Sequence, residues 1–413
     1  MNVEVIAIGD ELLIGQVADT NSGWIARQLN LMGWELTEVT LVRDRKDEIK
    51  NAVIDAFTRV SVVLMTGGLG PTKDDLTKRT LCELYGCSLH RDEKVQAMNE
   101  ARFAHKGFTM NTLTRDQALV PDACTVIYNP VGTAPVMWFD RDGKVLVSMP
   151  GVPSEMQHAV THEVLPRLRA RFCDHTSVHH ATCLVKGFTE SALAIFLTDF
   201  ENELPASVHL AYLPKPGVIR LRLTATGDDD AAVTAALNAQ FDKLLSLLGS
   251  HAFCHEDATL AGALGKILKE KNLTIATAES CTGGNIAHEI TLVPGCSAYY
   301  KGSIVSYANE VKMSLLGVSG ETISRYGVVS QPVVEEMARG VQRALHVDCA
   351  IATSGIAGPD GATPGKPVGT LAFAVACGEQ LASYMLTVGS QRERNIDRFT
   401  HAALLQMIDM LHP

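Results

Sequence analysis

The stretch SVVLMTGGLGPTKDD, Ser61 to Asp75, decides how the first part of the chain folds. Ser61 to Met65 reads as a strand, its four residues after the serine all apolar, as expected of a strand buried on both faces. It runs straight into a glycine-rich loop that precedes a helix. On its N-terminal side the pattern repeats. Val3 to Ile8 reads as a strand ending at Gly9, Ser22 to Leu31 as a helix, Trp34 to Val42 as a strand and Lys46 to Phe57 as a helix. This β-α-β-α-β order predicts a mostly parallel sheet with helices on both faces. On the C-terminal side follow strand candidates Ala134–Phe139 and Lys144–Met149. A helix from Ser154 to Arg171, with Pro153 just ahead of it, closes the segment.

Two further segments read differently. Residues 172–253 carry strand candidates His180–Val185 and Val218–Thr226 and helix candidates Glu190–Phe200 and Ala231–Leu248, the last capped by the turn Asp228-Asp229-Asp230. This suits a small α+β module. Residues 257–413 form a second α/β domain. Its helix candidates are Leu260–Lys271, Gln331–Leu345 and Arg394–Leu411, and its strand candidates Leu273–Thr277, Cys349–Ser354 and Thr370–Ala376. The fold class is α/β, two such domains joined by the smaller module. A chain of 413 residues with 46% hydrophobic and 20% charged residues is globular in composition. A net charge of −10 with 6% aromatics argues against a general nucleic-acid binder. Ten cysteines lie scattered without zinc spacing. With no signal peptide and no apolar run of spanning length, the expectation is a cytoplasmic protein away from the membrane.

Two loops in the first domain carry chemistry. In TGGLGPTKDD, Gly67, Gly68 and Gly70 let backbone N–H groups approach an anion closely, with Thr72 beside them and a helix N-terminus behind. The loop matches neither GxGxxG nor a Walker A motif. Asp74 and Asp75 would hold a divalent metal or favour the first helical turn. GDELLIG, Gly9 to Gly15, sits at the end of the first strand. In a parallel sheet Asp10 and Glu11 then share a rim with the glycine loop, an arrangement suited to metal-assisted phosphoryl chemistry.

In the last domain AESCTGG, Ala278 to Gly284, breaks a strand before a helix. A nucleophile at such a turn is exposed beside helix N–H groups. Cys281 is the intrinsically better nucleophile, whereas Ser280 needs a base. No Ser-His-Asp set is visible. SIVSYANEVK, Ser303 to Lys312, offers Tyr307 and Lys312, and lysine serves only with a lowered pKa. Gly283 and Gly284 allow close approach of a phosphate. TSGIAGPDG, Thr353 to Gly361, and SQRERNIDR, Ser390 to Arg398, add a second glycine loop and arginines for a phosphate clamp. Taken singly, each of these residues has an ordinary structural explanation, Ser280 as a helix cap and Cys281 as a small buried hydrophobe.

The first-domain loops, together with NPVGTAP (Asn129–Pro135) and MPGVPSEM (Met149–Met156), closely resemble the CinA family of competence/damage-inducible proteins, over essentially the whole chain. The resemblance implies a molybdopterin-binding fold for residues 1–171, acting as an ADP-ribose pyrophosphatase that yields AMP and ribose 5-phosphate. Its phosphate-binding candidates are Gly67, Gly68, Gly70, Thr72, Asn129 and Gly132. It would use a divalent metal (Mg, Mn or Co), for which Asp10, Glu11, Asp74 and Asp75 are the candidates, and be helped by potassium. Residues 172–253, with GFTES at Gly187–Ser191, match the family's KH-like linking domain, yet carry no GXXG loop. Residues 257–413 resemble nicotinamide mononucleotide amidohydrolases, through AESCTGG, YANEVK, GVVS (Gly327–Ser330), SGIAGPDG and Arg392 within SQRER. That resemblance implies Ser280 as nucleophile and Tyr307 and Lys312 as base or orienting groups. Ser354, Gly355 and Arg392 would contact substrate, and no cofactor is implied. Expected partners are small-molecule nucleotides and a second copy of the chain, with no direct nucleic acid. Two alternatives stand beside this reading: a deamidase with a nucleotide-sensing first domain, and a non-enzymatic accessory protein in DNA uptake or repair.

Overall fold

The computed structural model describes residues 1–70, 76–105, 107, 109–172 and 176–412. The chain divides into two compact units, Met1–His179 with Ala225–Ala235, and His180–Thr224 with Ala236–Pro413.

The first unit is built on a six-stranded sheet. Its strands are β1 (Asn2–Ile8), β2 (Glu35–Val42), β3 (Val62–Gly67), β6 (Thr125–Ile127), β7 (Val136–Arg141) and β8 (Lys144–Met149), in the order β2-β1-β3-β8-β7-β6. β4 (Leu89–Arg91) and β5 (Leu119–Pro121) form a separate antiparallel ribbon. β2, β1, β3 and β8 run parallel, β7 returns antiparallel to β8, and β6 pairs antiparallel with β7. Alternate residues of the buried strands face opposite layers. Val3, Val5, Leu64 and Val147 pack with Ile25 and Leu29 of the helix Asn21–Leu31. Ile6, Ile8, Val63 and Leu146 pack with Ile49 and Val53 of the helix Lys46–Ala56. The helix read from Ser154 starts one residue earlier, at Pro153, because proline suits the first helical turn. It runs to Phe172 with a π-helical segment at Val160–Val164.

In chain order, β9 (Ser177–Val185), β10 (Val208–Lys215), β11 (Val218–Gly227) and β12 (Ala252–Cys254) form a four-stranded sheet ordered β10-β11-β9-β12. The expected cap of the helix Asp230–Leu248 is present: Asp229 Oδ1 accepts the Ala231 and Ala232 N–H groups. The helix expected from Glu190 to Phe200 is interrupted at Leu197, giving Glu190–Phe196 and Thr198–Asn202.

The last sheet comprises β13 (Ile275–Glu279), β14 (Tyr300–Val305), β15 (Cys349–Gly355), β16 (Thr370–Cys377) and β17 (Gln380–Thr387), ordered β14-β13-β15-β16-β17. β13 lies parallel to both β14 and β15, and the other pairs are antiparallel. One face carries large residues, Ile275, Ile351, Phe373 and Val375, which pack with helices Leu260–Glu270 and Arg392–Leu411. The other face is almost all alanine: Ala276, Ala278, Ala350, Ala352, Ala372 and Ala374. Small residues let the helix Gln331–Leu345 lie close against it. Register puts Glu279 opposite both Val305 and Thr353, so the C-terminal ends of β13, β14 and β15 share one rim. Among the described residues, no helix is long and apolar enough to cross a membrane.

Candidate active site

The rim of the last sheet gathers the residues the sequence singled out. Ser280 follows β13 directly and is 9% exposed. Lys312 comes from the first turns of the helix Asn309–Leu316 and is 1% exposed. Its Nζ lies 3.0 Å from Ser280 Oγ, 2.7 Å from the Ser306 carbonyl and 3.2 Å from the Tyr307 carbonyl. Burial lowers the Lys312 pKa from the ordinary 10.5. Nζ donates to the two carbonyls and lies within hydrogen-bond distance of the serine hydroxyl; a neutral amine there would keep two N–H groups for the carbonyls and turn its lone pair to that hydroxyl.

Cys281 sits one residue further on, 6% exposed, and burial pushes its thiol up to about 12. It is a protonated, packed side chain. Its sulfur lies against Gly355, where a Cβ would come within 3.0 Å of Sγ and 2.7 Å of the Thr370 carbonyl. A cavity of about 210 Å³ opens above Ser280, lined by Tyr307, Lys312, Ser354, Gly355 and Arg392 among others. Tyr307 is 62% exposed, and its hydroxyl lies 3.4 Å from Arg392 Nη2, with no hydrogen bond to Ser280 among the described residues. Tyr307 therefore reaches the pair through its backbone carbonyl, and the amine that touches Ser280 Oγ belongs to Lys312. Arg392 also donates to the Gly358 carbonyl at 2.8 Å. Ser354 is buried and donates to the Val328 carbonyl, so its hydroxyl proton is committed to the protein.

The glycine pair behaves differently from the expectation of a phosphate cradle. Gly283 and Gly284 are absent from the cavity lining. The Gly283 N–H bonds the Ser280 carbonyl, and the Gly284 N–H bonds Glu279 Oε2 at 3.0 Å. Glu279 is the residue that sequence reasoning missed. It is fully buried at the end of β13 and takes the amides that open the helix Asn285–Thr291. The signal was an acid at a strand end, one short turn ahead of a helix whose N-terminal amides favour a carboxylate.

In the first unit, the ends of β1, β3 and β8 border a cavity of about 580 Å³. Gly67 has φ +101, and a Cβ there would lie 2.1 Å from the Ile8 carbonyl, so only glycine fits where the two strand ends converge. Gly68, Gly70, Asp10 and Glu11 line the cavity, as do Asp19, Asp44 and Glu155. Asn129 and Gly132 do not. Asn129 Oδ1 accepts the Val131 and Gly132 N–H groups, and its Nδ2 donates to Glu155 Oε2 at 2.7 Å. The pair shapes a turn and holds Glu155, so neither amide is free for a phosphate. Thr72, Asp74 and Asp75 lie outside the described residues. Among the described residues, no three His, Cys, Asp or Glu side chains converge closely enough to enclose a metal ion.

Fold and sites together define a class: a multidomain α/β protein with a buried serine–lysine pair at one sheet rim and a glycine-lined cavity at another. Three family profiles cover the chain in succession. They are "Probable molybdopterin binding domain" over residues 4–170, "Damage-inducible protein CinA KH domain" over 181–254 and "CinA C-terminal domain" over 257–411. A CinA-like protein of Flavobacterium psychrophilum is 43% identical, covering 100% of this chain and 98% of that protein. One of Cytophaga hutchinsonii is 42% identical, covering 98% and 96%. Among solved structures, a CinA protein of unknown function from Thermoplasma acidophilum matches with 33% identity and a TM-score of 0.37, covering 40% of this chain and 96% of that one. The chain belongs to the CinA family.

Proposed function

We propose that the last domain hydrolyses the carboxamide of nicotinamide mononucleotide to nicotinate mononucleotide and ammonia, and that the first domain hydrolyses ADP-ribose to AMP and ribose 5-phosphate. The observation that carries the first half is the 3.0 Å contact between Lys312 Nζ and Ser280 Oγ, with the amine's other contacts on backbone carbonyls. Neutral Lys312 takes the hydroxyl proton as Ser280 Oγ attacks the amide carbon. The oxyanion is stabilised by the Cys281 N–H, which belongs to a cavity-lining residue and is taken by no carbonyl or carboxylate among the described residues. Lys312 then returns the proton to the leaving ammonia. Water, giving a proton to the same amine, attacks the acyl-serine and frees the carboxylate product. Arg392, at the cavity mouth, suits the substrate's phosphate as a planar donor. No cofactor is needed for this step.

In the first domain, the cavity suits a diphosphate between the glycine loop and a ring of carboxylates. The hard oxygen donors fit Mg, Mn or Co, held by one or two carboxylates together with the substrate's phosphates. Asp10 and Glu11 are the candidates, since Asp19 accepts the Ser22 N–H and Glu155 accepts from Asn129. A bound ion would supply Lewis-acid polarisation of a phosphoryl oxygen. Potassium is proposed as an auxiliary ion.

The test is ammonia release from nicotinamide mononucleotide by the full chain beside Ser280→Ala. Release that disappears in the variant supports the reading, and release that persists overturns the serine mechanism. AMP formation from ADP-ribose with each divalent metal, in the same preparation, tests the first domain separately.

A further inference from the structure

Glu279 is a buried carboxylate that the mechanism above does not use. No lysine or arginine pairs with it among the described residues. Its charge is met instead by hydrogen-bond donors. Oε1 accepts from Thr277 Oγ1 at 3.1 Å and the Ala287 N–H at 2.9 Å. Oε2 accepts from Thr282 Oγ1 at 2.8 Å and from the N–H groups of Gly284 and Ile286 at 3.0 and 3.1 Å. Ser303 Oγ approaches Oε1 at 3.5 Å. A fully buried carboxylate is tolerated only when it is met in this way.

The donors come from both sides of Ser280. Thr277 lies before it, and Thr282, Gly284, Ile286 and Ala287 lie after it. Thr282 Oγ1 also lies 2.8 Å from Thr353 Oγ1 on β15, and the Ser280 N–H donates to the Thr353 carbonyl at 3.0 Å. The turn that carries the nucleophile is thus tied to the following helix and to the neighbouring strand through one side chain.

We propose that Glu279 is the positioning residue of the serine site. It clamps the turn Ser280–Thr282 so that Oγ stays on the lone pair of Lys312. By occupying the amides of Gly284, Ile286 and Ala287, it also closes the helix mouth to the substrate's anion, leaving the Cys281 amide for the developing oxyanion. This rests on Ser280 as the nucleophile but not on the identity of its natural substrate.

The experiment reads nucleophile reactivity with and without substrate. Full-length protein is treated with phenylmethylsulfonyl fluoride. Ser280 Oγ forms a bond to sulfur, fluoride leaves and Lys312 takes the hydroxyl proton. Labelling is followed by intact mass, with Ser280→Ala as the blank. Glu279→Gln keeps the shape but removes the charge and turns a donor toward donors. Its labelling rate constant is expected to fall by about a hundredfold, and kcat for nicotinamide mononucleotide with it, while KM stays within about threefold. A purely structural role would lower the labelled fraction or the melting temperature and leave the rate constant of the folded fraction unchanged. Thr282→Val removes one donor and retains the charge. It is expected to slow labelling by about three- to tenfold, and it carries the test if Glu279→Gln does not fold. A folded Glu279→Gln labelled at the wild-type rate overturns the proposal, as does Thr282→Val labelled at that rate or a wild type that does not label at Ser280. A wild type that labels but releases no ammonia overturns the substrate reading alone, and the variant rates still decide the role of Glu279.

Discussion

The two glycine-bearing rims of this protein are built on the same α/β plan and solve opposite problems. At the rim of the last sheet the ionisable side chains behind Ser280 are held by protein partners. Lys312 is held by two carbonyls and a hydroxyl, and Glu279 by five donors within 3.1 Å. The cavity there is about 210 Å³. At the rim of the first sheet the cavity is nearly three times larger, about 580 Å³, and Asp10 projects into solvent with its side chain 64% exposed. An acyl-transfer site needs nucleophile, base and oxyanion donors in place before substrate arrives, because the oriented dipoles supply the rate. A phosphoryl-transfer site that works with a metal can leave its carboxylates open, because substrate and ion complete the coordination. On the proposed reading the first site is preassembled and the second is completed by its ligand.

The strongest way to break this comparison is to remove the base. Lys312→Met is expected to lower kcat for ammonia release by at least about a thousandfold with little change in KM. Lys312→Arg should do no better, since a guanidinium stays protonated. A variant that retains a tenth of the rate would show that the pair is not the preassembled unit described. The pH profile sharpens the point. Burial lowers the Lys312 pKa below 10.5, and only the neutral amine accepts the serine proton. The rate should therefore rise with pH through an inflection below 10.5, measured as kcat/KM. An inflection at or above that value would contradict a buried lysine base.

The next largest effect falls on the first rim. Gly67→Ala would set a methyl group 2.1 Å from the Ile8 carbonyl at a backbone angle that alanine rarely adopts. The expected loss is about 3 kcal/mol of stability, confined to the first unit and read by thermal unfolding. AMP formation from ADP-ribose should go with it, while ammonia release stays at the wild-type rate. Equal loss of both activities would mean that the two sites do not stand or fall separately.

The contrast also explains what was legible beforehand. The strands that support both rims are buried on both faces: β3 opens with the apolar run Val62–Met65, and β13 and β15 are mostly apolar or small residues, interrupted by Thr277 and Thr353. β14 and β17 escaped because they are edge strands. Tyr300–Val305 contains Lys301 and Gly302, and Gln380–Thr387 is half exposed without clean alternation. Ser280, Lys312 and Arg392 were accessible because their residue types are chemically marked. Glu279 was not, since in sequence a buried acid looks like any strand-end carboxylate, and its meaning comes from donors spread over residues 277 to 287. Asn129 and Gly132 misled in the opposite direction: an asparagine and a glycine in a conspicuous loop turned out to serve the loop itself and Glu155.

A smaller effect is expected at the mouth of the preassembled site. Arg392 holds the Gly358 carbonyl with one nitrogen and faces the Tyr307 hydroxyl with the other. On the proposed reading Arg392 binds the substrate's phosphate, and removing it costs ground-state and transition-state binding alike. Arg392→Ala should therefore raise KM for nicotinamide mononucleotide by about ten- to a hundredfold and leave kcat within about threefold. Arg392→Lys should fall between, because the charge remains and the fork is lost. A large fall in kcat at unchanged KM would move Arg392 from the substrate's phosphate to the reacting carbon.

The smallest expected effect is the most diagnostic for the base. If the Tyr307 hydroxyl took the serine proton, Tyr307→Phe would be as damaging as Lys312→Met. In the structure that hydroxyl meets Arg392 at 3.4 Å, a weak contact at the exposed edge of the cavity. The residue's link to the catalytic pair is its backbone carbonyl, which phenylalanine retains. Tyr307→Phe should thus change kcat by no more than about threefold and KM by a similar factor through slight loosening of Arg392. Steady-state kinetics on the two variants side by side separates the alternatives: a near-silent Tyr307→Phe beside a dead Lys312→Met leaves the buried amine as the one group positioned to take the proton.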